Sequence, residues 1–272
     1  MVALRRQRLS LRPAAHHLRQ ATRHSRAVSI RNDATFTVID ETDGYIVVNK
    51  PAPLQIHPGD PNGPPTLWHR LCDLLSYEIA NGGQVSIINR LDRETSGVVL
   101  VAKNHELARL FGMAMQERKI HKTYTALVHG WPDWEAHILD APILRAGEVQ
   151  EADIWVKQIV HPQGSPCRTS FRTLQRFERE GMPFALIEAK PETGRMHQIR
   201  VHLHHLGLPI VGDKLYGRDD RCYLEFIETG WTPALEKKLI LPRQALHSSR
   251  LELNLEGFPS GWEASVPVEF VL

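Results

Sequence analysis

Between Ile87 and Asn104 the chain reads IINRLDRETSGVVLVAKN, a charged turn that runs straight into an apolar segment. The run from Gly97 to Lys103 lacks the alternation of a half-exposed strand, so it predicts a strand covered on both faces. Any fold this chain adopts has to enclose that strand within a sheet. In front of it stand Arg90, Asp92 and Arg93, followed by a Thr95-Ser96-Gly97 turn. Taken alone, an Arg-x-Asp sequence is a charged turn entering a core strand. A carboxylate at the mouth of a buried strand is also rigidly mounted, and reacting groups need positions held to about 0.5 Å. Asp92 is therefore a candidate site residue as well as a turn residue.

Around this stretch, Phe36–Asp40 and Tyr45–Lys50 flank Asp43-Gly44 and predict a hairpin. Residues 51–65 are dense in Pro and Gly and predict a loop. The spacing of Leu67, Leu71, Leu74, Leu75 and Ile79 predicts a helix over 66–80 with these side chains on one face. Asn104 is placed to cap a helix reaching Gln116, with Leu107, Leu110, Phe111 and Met115 inward. Tyr124–Val128, Phe184–Ala189 and Leu251–Leu255 are strand-like, and residues 140–180 alternate strand runs with turns. Strands and helices mix without regular βαβ alternation. That pattern predicts an α+β fold on a mixed or antiparallel sheet rather than a doubly wound one.

The 272 residues suffice for a full core, and 42% hydrophobic with 24% charged residues is ordinary for a globular chain. No apolar run approaches a membrane span. Cys72, Cys167 and Cys222 lie far apart without paired spacing, which argues against a zinc site or disulfide framework and suits a reducing compartment. The net charge of +2 hides an asymmetry: residues 1–31 hold eight arginines and no acid, leaving 25 basic against 31 acidic residues in the remainder. A body of about −6 has to meet a polyanion through a local basic groove. The first 34 residues are accordingly expected to be a basic, flexible extension, with a single folded domain over 35–272. An RNA-facing or solubilising arm, an organelle transit peptide and a misassigned start are all compatible with that composition.

Three ordered blocks resemble one family. Arg90, Leu91, Asp92, Thr95, Ser96 and Gly97 match the catalytic loop of RluA-type RNA pseudouridine synthases, with Asn89 where that family usually has His. KTYTALVHG, from Lys122 to Gly130, resembles the second motif, and ETGRMHQIRVHLHHLGLPIVGDKLYG, from Glu192 to Gly217, resembles the third. Met196 stands there in place of a usual Thr or Ser. Fainter echoes near residues 50 and 250 extend the resemblance over residues 36–272.

The resemblance implies a pseudouridine synthase fold: a central, mostly antiparallel sheet with flanking helices and the active cleft across its middle. It also implies isomerisation of uridine in ribosomal or transfer RNA. Many members of that family carry an extra N-terminal RNA-binding domain; the residues ahead of Phe36 are too few for one, so a stand-alone catalytic domain without an S4-like domain is expected. The reaction breaks N1–C1′ and joins C5 to C1′; nothing is oxidised and nothing leaves, so no cofactor is expected. Asp92 is the expected nucleophile or base, Arg200 its charge partner, and Tyr124 the residue that stacks on the target base. A carboxylate in a dry cleft drifts to the neutral acid unless a cation faces it, and Arg200 would meet that need. Base stacking is worth about 1–3 kcal/mol. Extruding the base leaves a vacancy that the planar Arg90 guanidinium suits. Arg93, Lys122, Arg195 and His197 are the further candidates for RNA contact.

Within HQIRVHLHH the strand and helix periods conflict, and the resemblance favours a helix after Thr193-Gly194. His197, His202, His204 and His205 have no Cys or carboxylate partners at ligand spacing, so they are expected on a polar helix face near RNA, not around a metal. The expected partner is RNA, with no membrane or metal, for a cytoplasmic monomer; a transit-peptide role for residues 1–31 would place it in the mitochondrial matrix. A non-catalytic RNA-binding or ribosome-assembly protein of the same fold is the alternative.

Overall fold

The computed structural model describes residues 35–270. The expectations for residues 1–34 lie outside the described residues. The chain opens with the hairpin β1 (Thr37–Glu41) and β2 (Tyr45–Lys50), then α1 (Leu67–Leu74), α2 (Ser76–Ala80), β3 (Ser86–Ile87), β4 (Ser96–Ala102) and α3 (His105–Gln116). Next come β5 (Ile120–His129), β6 (Ala136–Asp140), β7 (Ile143–Arg145), β8 (Gln158–Val160), β9 (Arg168–Arg179) and β10 (Met182–Pro191). Helices α4 (Gln198–His205), α5 (Arg221–Thr229) and α6 (Pro233–Leu239) precede β11 (Leu246–Leu253) and β12 (Gly261–Glu263).

One large sheet runs β1-β2-β4-β11-β5-β10-β9-β6, with β12 on β11 and β3 on β4. The pairing of β4 with β11 is parallel, at His247–Ser96 and Ser248–Gly97. The neighbouring pairs β2/β4, β5/β11, β5/β10 and β9/β10 are antiparallel. The fold is thus α+β on a mixed, mainly antiparallel sheet.

β4 is buried from Ser96 to Ala102. Val99 and Val101 join Ile46, Val48, Leu67, Leu71 and Leu75 in one core cluster, while Val98 and Leu100 join Tyr45, Val47 and Phe111 in another. A run without alternation is what a strand with apolar layers on both sides requires. Asn104 caps α3 by accepting from the Leu107 amide at 2.9 Å.

Several boundaries differ from the sequence expectation. The 66–80 helix is broken at Leu75, and only Leu67, Leu71 and Leu75 of its apolar set are buried; Leu74 and Ile79 are exposed. The break rotates the second segment away from the core. On α3, Phe111 and Ala114 are fully inside, whereas Leu110 is only half-buried. The last long strand begins at Leu246 rather than Leu251, because polar residues sit inside the sheet: His247 pairs with Ser96 Oγ at 2.9 Å through Nδ1. Polarity concealed this strand: His247 finds both its partners inside the fold, although the buried Ser248 Oγ has no hydrogen-bond partner among the described residues. The turn before β4 is also tighter than expected. The Thr95 amide donates to the Asp92 carbonyl at 3.1 Å, and Ser96 already belongs to the strand. Gly97, at φ 115°, lets β11 cross close by; a Cβ there would lie 2.2 Å from the Ser248 carbonyl oxygen.

Candidate active site

Asp92 sits in the loop between β3 and β4, and that loop is pinned from three directions. Asn89 is buried and clamps it to β4, donating from Nδ2 to the Val98 carbonyl at 2.9 Å and accepting from the Leu100 amide at 2.8 Å. The buried Lys50 ammonium donates to the carbonyls of Pro51, Leu54 and Arg93 at 3.0, 2.8 and 3.2 Å. Gln244 holds Thr95 Oγ1 at 2.8 Å and reaches Asp92 Oδ2 at 3.4 Å.

Arg200 comes from the first turn of α4, which begins after His197 in the left-handed region at φ 58°. Gln198 ties this entry to β9: its Nε2 donates to the Arg168 carbonyl at 3.0 Å and Thr169 Oγ1 at 2.9 Å. Its Oε1 accepts from the Arg195 amide at 3.1 Å. The guanidinium then bridges two acids. Nε and Nη2 donate to Asp213 at 2.7 and 3.0 Å, and Nη1 donates to Asp92 Oδ2 at 2.8 Å. The Tyr216 ring lies 4.9 Å from its centre.

Burial alone would raise the Asp92 pKa, but Arg200, aided by His197 and the Gln244 bond, holds the carboxyl below the usual range. About a third of its side chain remains exposed, so the anion is held without being covered. Burial likewise opposes the Arg200 charge, and Asp213 with Asp92 overcomes it. His197 bonds Tyr216 Oη at 2.8 Å through Nδ1, and burial followed by Arg200 lowers its pKa to about 4, so it is neutral at pH 7.

A cavity of about 750 Å³ opens onto this pair. It brings together Asp92, Tyr124, Arg200, Arg90, Lys122, Arg195 and His197 from separate motifs. Tyr124 is buried on β5, and burial with the Asp92 charge raises its pKa, so the phenol stays protonated. Lys122 lies near Gly194, and burial lowers its pKa. Arg90 and Arg195 are exposed at the rim. Arg93 does not line this cavity; it faces an adjoining one on the other side of Asp92.

Asp213, Tyr216 and Gln244 were not singled out from the sequence. The first two lie within the GDKLYG end of the third block, and that position was their only signal. The histidines divide differently from expectation. His202 is fully buried, bonding Thr169 Oγ1 and the Ala141 carbonyl at 2.9 Å each, while His204 and His205 are exposed. Core packing therefore accounts for one residue expected on a polar face. Among the described residues no group of three or more His, Cys, Asp or Glu is arranged to hold a metal ion, and no helix is long and apolar enough to cross a membrane.

The sheet and its central acid–arginine pair define an RNA-modifying isomerase of the pseudouridine synthase fold. The family model for RNA pseudouridylate synthases matches residues 44–205, and the chain belongs to that family. A ribosomal large subunit pseudouridine synthase D from Haemophilus ducreyi is 34% identical over 238 residues, covering 86% of this chain and 68% of the relative. The protein of that name from Pseudomonas aeruginosa is 31% identical over 259 residues, covering 93% and 75%. An uncharacterised RNA pseudouridine synthase of Chloroflexus aurantiacus is 42% identical over 174 residues, covering 62% of this chain and 51% of the relative. The solved structure of human RNA pseudouridylate synthase domain containing 4 superposes with a TM-score of 0.65 at 24% identity, covering 86% of this chain and 90% of that one, which shows the shared fold.

Proposed function

We propose that this protein converts uridine in large-subunit ribosomal RNA to pseudouridine, with Asp92 as the essential nucleophile or base. One observation carries the assignment: Asp92 is held ionised by Arg200 yet keeps an open face toward a cavity that also contains Tyr124. A carboxylate kept charged and only partly solvated is ready to act at the sugar–base junction. Tyr124 stacks on the detached uracil and, being protonated, has no charge to repel it. Arg90 fills the place of the extruded base, and Lys122 and Arg195 meet phosphate along the rim. His197, neutral and bonded to Tyr216, offers a ring for RNA contact without charge. Arg93 contacts RNA from the far side of Asp92. The ribosomal substrate is suggested by the names of the Haemophilus and Pseudomonas relatives, of which the chain spans 68% and 75%. The protein acts as a cytoplasmic monomer in this reading.

Mapping pseudouridines in ribosomal and transfer RNA from cells with and without the gene tests the reading. Loss of one or more large-subunit sites supports it. Loss confined to transfer RNA would move the substrate, and an unchanged map would sink the proposal.

A further inference from the structure

The adjoining cavity, of about 300 Å³, shares Asp92, His197 and Arg200 with the larger one but has different walls. Its far wall is Val156 with Tyr223, Phe226 and Ile227 of α5. Tyr223, Phe226 and Ile227 fall at i, i+3 and i+4, so one helix face carries all three. Cys222 on the other side of α5 packs with Leu235 and Leu239 of α6, and Phe226 is partly buried against the same cluster, so Tyr223 and Ile227 supply most of the open face. Ile227 is nonetheless 63% exposed, which leaves an apolar wall open toward the catalytic acid.

Three observations identify what fits there. First, the cavity is continuous with the acid–arginine pair, so a polynucleotide whose target sugar lies at Asp92 has its next nucleotide within one step. Second, the cation at its floor is already neutralised: Lys214 Nζ lies 2.9 Å from both Glu94 carboxylate oxygens and 4.6 Å from the Phe226 ring centre. A phosphate would find the floor occupied, whereas the flat face of a base matches an aromatic and aliphatic wall. Third, Arg93 is exposed on this side, where it can meet the phosphate of a nucleotide whose base points inward. A volume near 300 Å³ sits at the lower end of small-ligand sites.

We infer that this second cavity binds the base of a nucleotide adjacent to the target uridine, so that the enzyme grips two consecutive bases on opposite sides of Arg200. This inference rests on the proposed RNA reaction and adds a specificity site to it.

The full chain, irradiated with short single-stranded RNAs containing 4-thiouridine, gives the first readout by peptide mapping. Crosslinks on Tyr223 or Phe226 are expected in addition to those in the larger cavity; crosslinks confined to the larger cavity and its rim would overturn the inference. This readout needs no turnover, so it is separate from any failure of the proposed reaction. The second readout uses a ribosomal RNA fragment that the wild type modifies, with an abasic residue placed on either side of the target. One of the two is expected to raise the half-saturating RNA concentration about ten-fold, the size of one stacking contact. Ile227→Asp, at an exposed position that should not disturb folding, and Tyr223→Ala should raise it similarly for intact RNA. Neither should add further loss on the abasic RNA. Additive losses, or no loss with Ile227→Asp, would refute base binding here. Self-association of the wild type abolished by Ile227→Asp would instead give the face to a second copy of the chain.

Discussion

Asp92 and Asp213 grip the same guanidinium from two loops, and their surroundings are opposite. Asp213 is fully buried and fully used: it takes two bonds from Arg200, at 2.7 and 3.0 Å, and two backbone amides, Leu215 and Tyr216, at 3.0 Å each. Asp92 takes one bond from Arg200 at 2.8 Å and a long one from Gln244 at 3.4 Å, and a third of its side chain is open. A carboxylate that accepts four bonds is a fixture, because any reaction at it would first break several charge-assisted bonds. A carboxylate held from one side keeps its other side for chemistry. The pair thus separates anchoring from reactivity: Asp213 sets Arg200, and Arg200 sets Asp92.

The largest effect should come from Asp92→Asn, which keeps shape but removes charge. Pseudouridine formation should drop to background while RNA binding persists and the fold loses little stability, because Asp92 gives Arg200 a single bond and is a third open to solvent. Multiple turnover by this variant, with reversion to Asp excluded by mass spectrometry, would break the division of roles.

Asp213→Ala should act on the fold as well as on the reaction. It leaves Arg200 buried with one partner instead of two, and removal of one member of a buried pair costs about 3–5 kcal/mol. Urea unfolding should therefore show a larger stability loss than Asp92→Asn causes. Equal stability of the two variants would mean that the two acids are interchangeable props.

Acidification sharpens the comparison in a different way. The two carboxylates are held below the ordinary 3.8, Asp92 by Arg200 with His197 and Asp213 by Arg200 with its own hydrogen bonds, in both cases against the effect of burial. The stability they give is complete above the unfolded value and is lost only as pH falls through the lowered folded values. His129, His197 and His247 are instead pushed from 6.5 to about 4, chiefly by burial. Between those values the unfolded chain binds more protons, so stability should decline as pH falls from about 6.5 to about 4. Unfolding midpoints that stay level across that window would show that these histidines are not buried neutral. The Asp92–Arg200 pair should survive the same window intact.

The smallest effect belongs to Gln244→Ala. Its 3.4 Å approach to Asp92 is weak, while its 2.8 Å bond to Thr95 shapes the loop. A loss of about 1 kcal/mol, or roughly five-fold in kcat/KM, is expected. A loss as large as that of Asp92→Asn would mean that Gln244 touches the reacting atoms.

Local pattern was enough for much of this molecule. The strand at Gly97–Lys103, the cap at Asn104 and the hairpin around Asp43-Gly44 depend on short-range rules, namely apolar run length, side-chain capping and turn preference, which act over a few residues. The three blocks that carry Asp92, Tyr124 and Arg200 were likewise legible as blocks. What pattern could not supply was the use of polar residues inside the core. The strand at Leu246–Leu253 and the buried His202 involve polar side chains whose partners lie far away in sequence, and the Asn89 clamp reaches across a turn to the next strand; polarity read locally points to the surface.

Tertiary structure alone decided which acid reacts and which one anchors. Asp92 and Asp213 are the same side chain 121 positions apart, and nothing in either neighbourhood states how many donors will surround it. That number follows from how the β3–β4 loop, α4 and the turn after Ile210 meet across the sheet. It also decided that consecutive residues, Asp92 and Arg93, open onto different cavities. The sequence by itself determined the residue types, their order and the buried strand that carries the acid. The electrostatic state of that acid is a sum over partners brought together by folding, because Coulomb and hydrogen-bond energies depend on distance in space and not on separation along the chain.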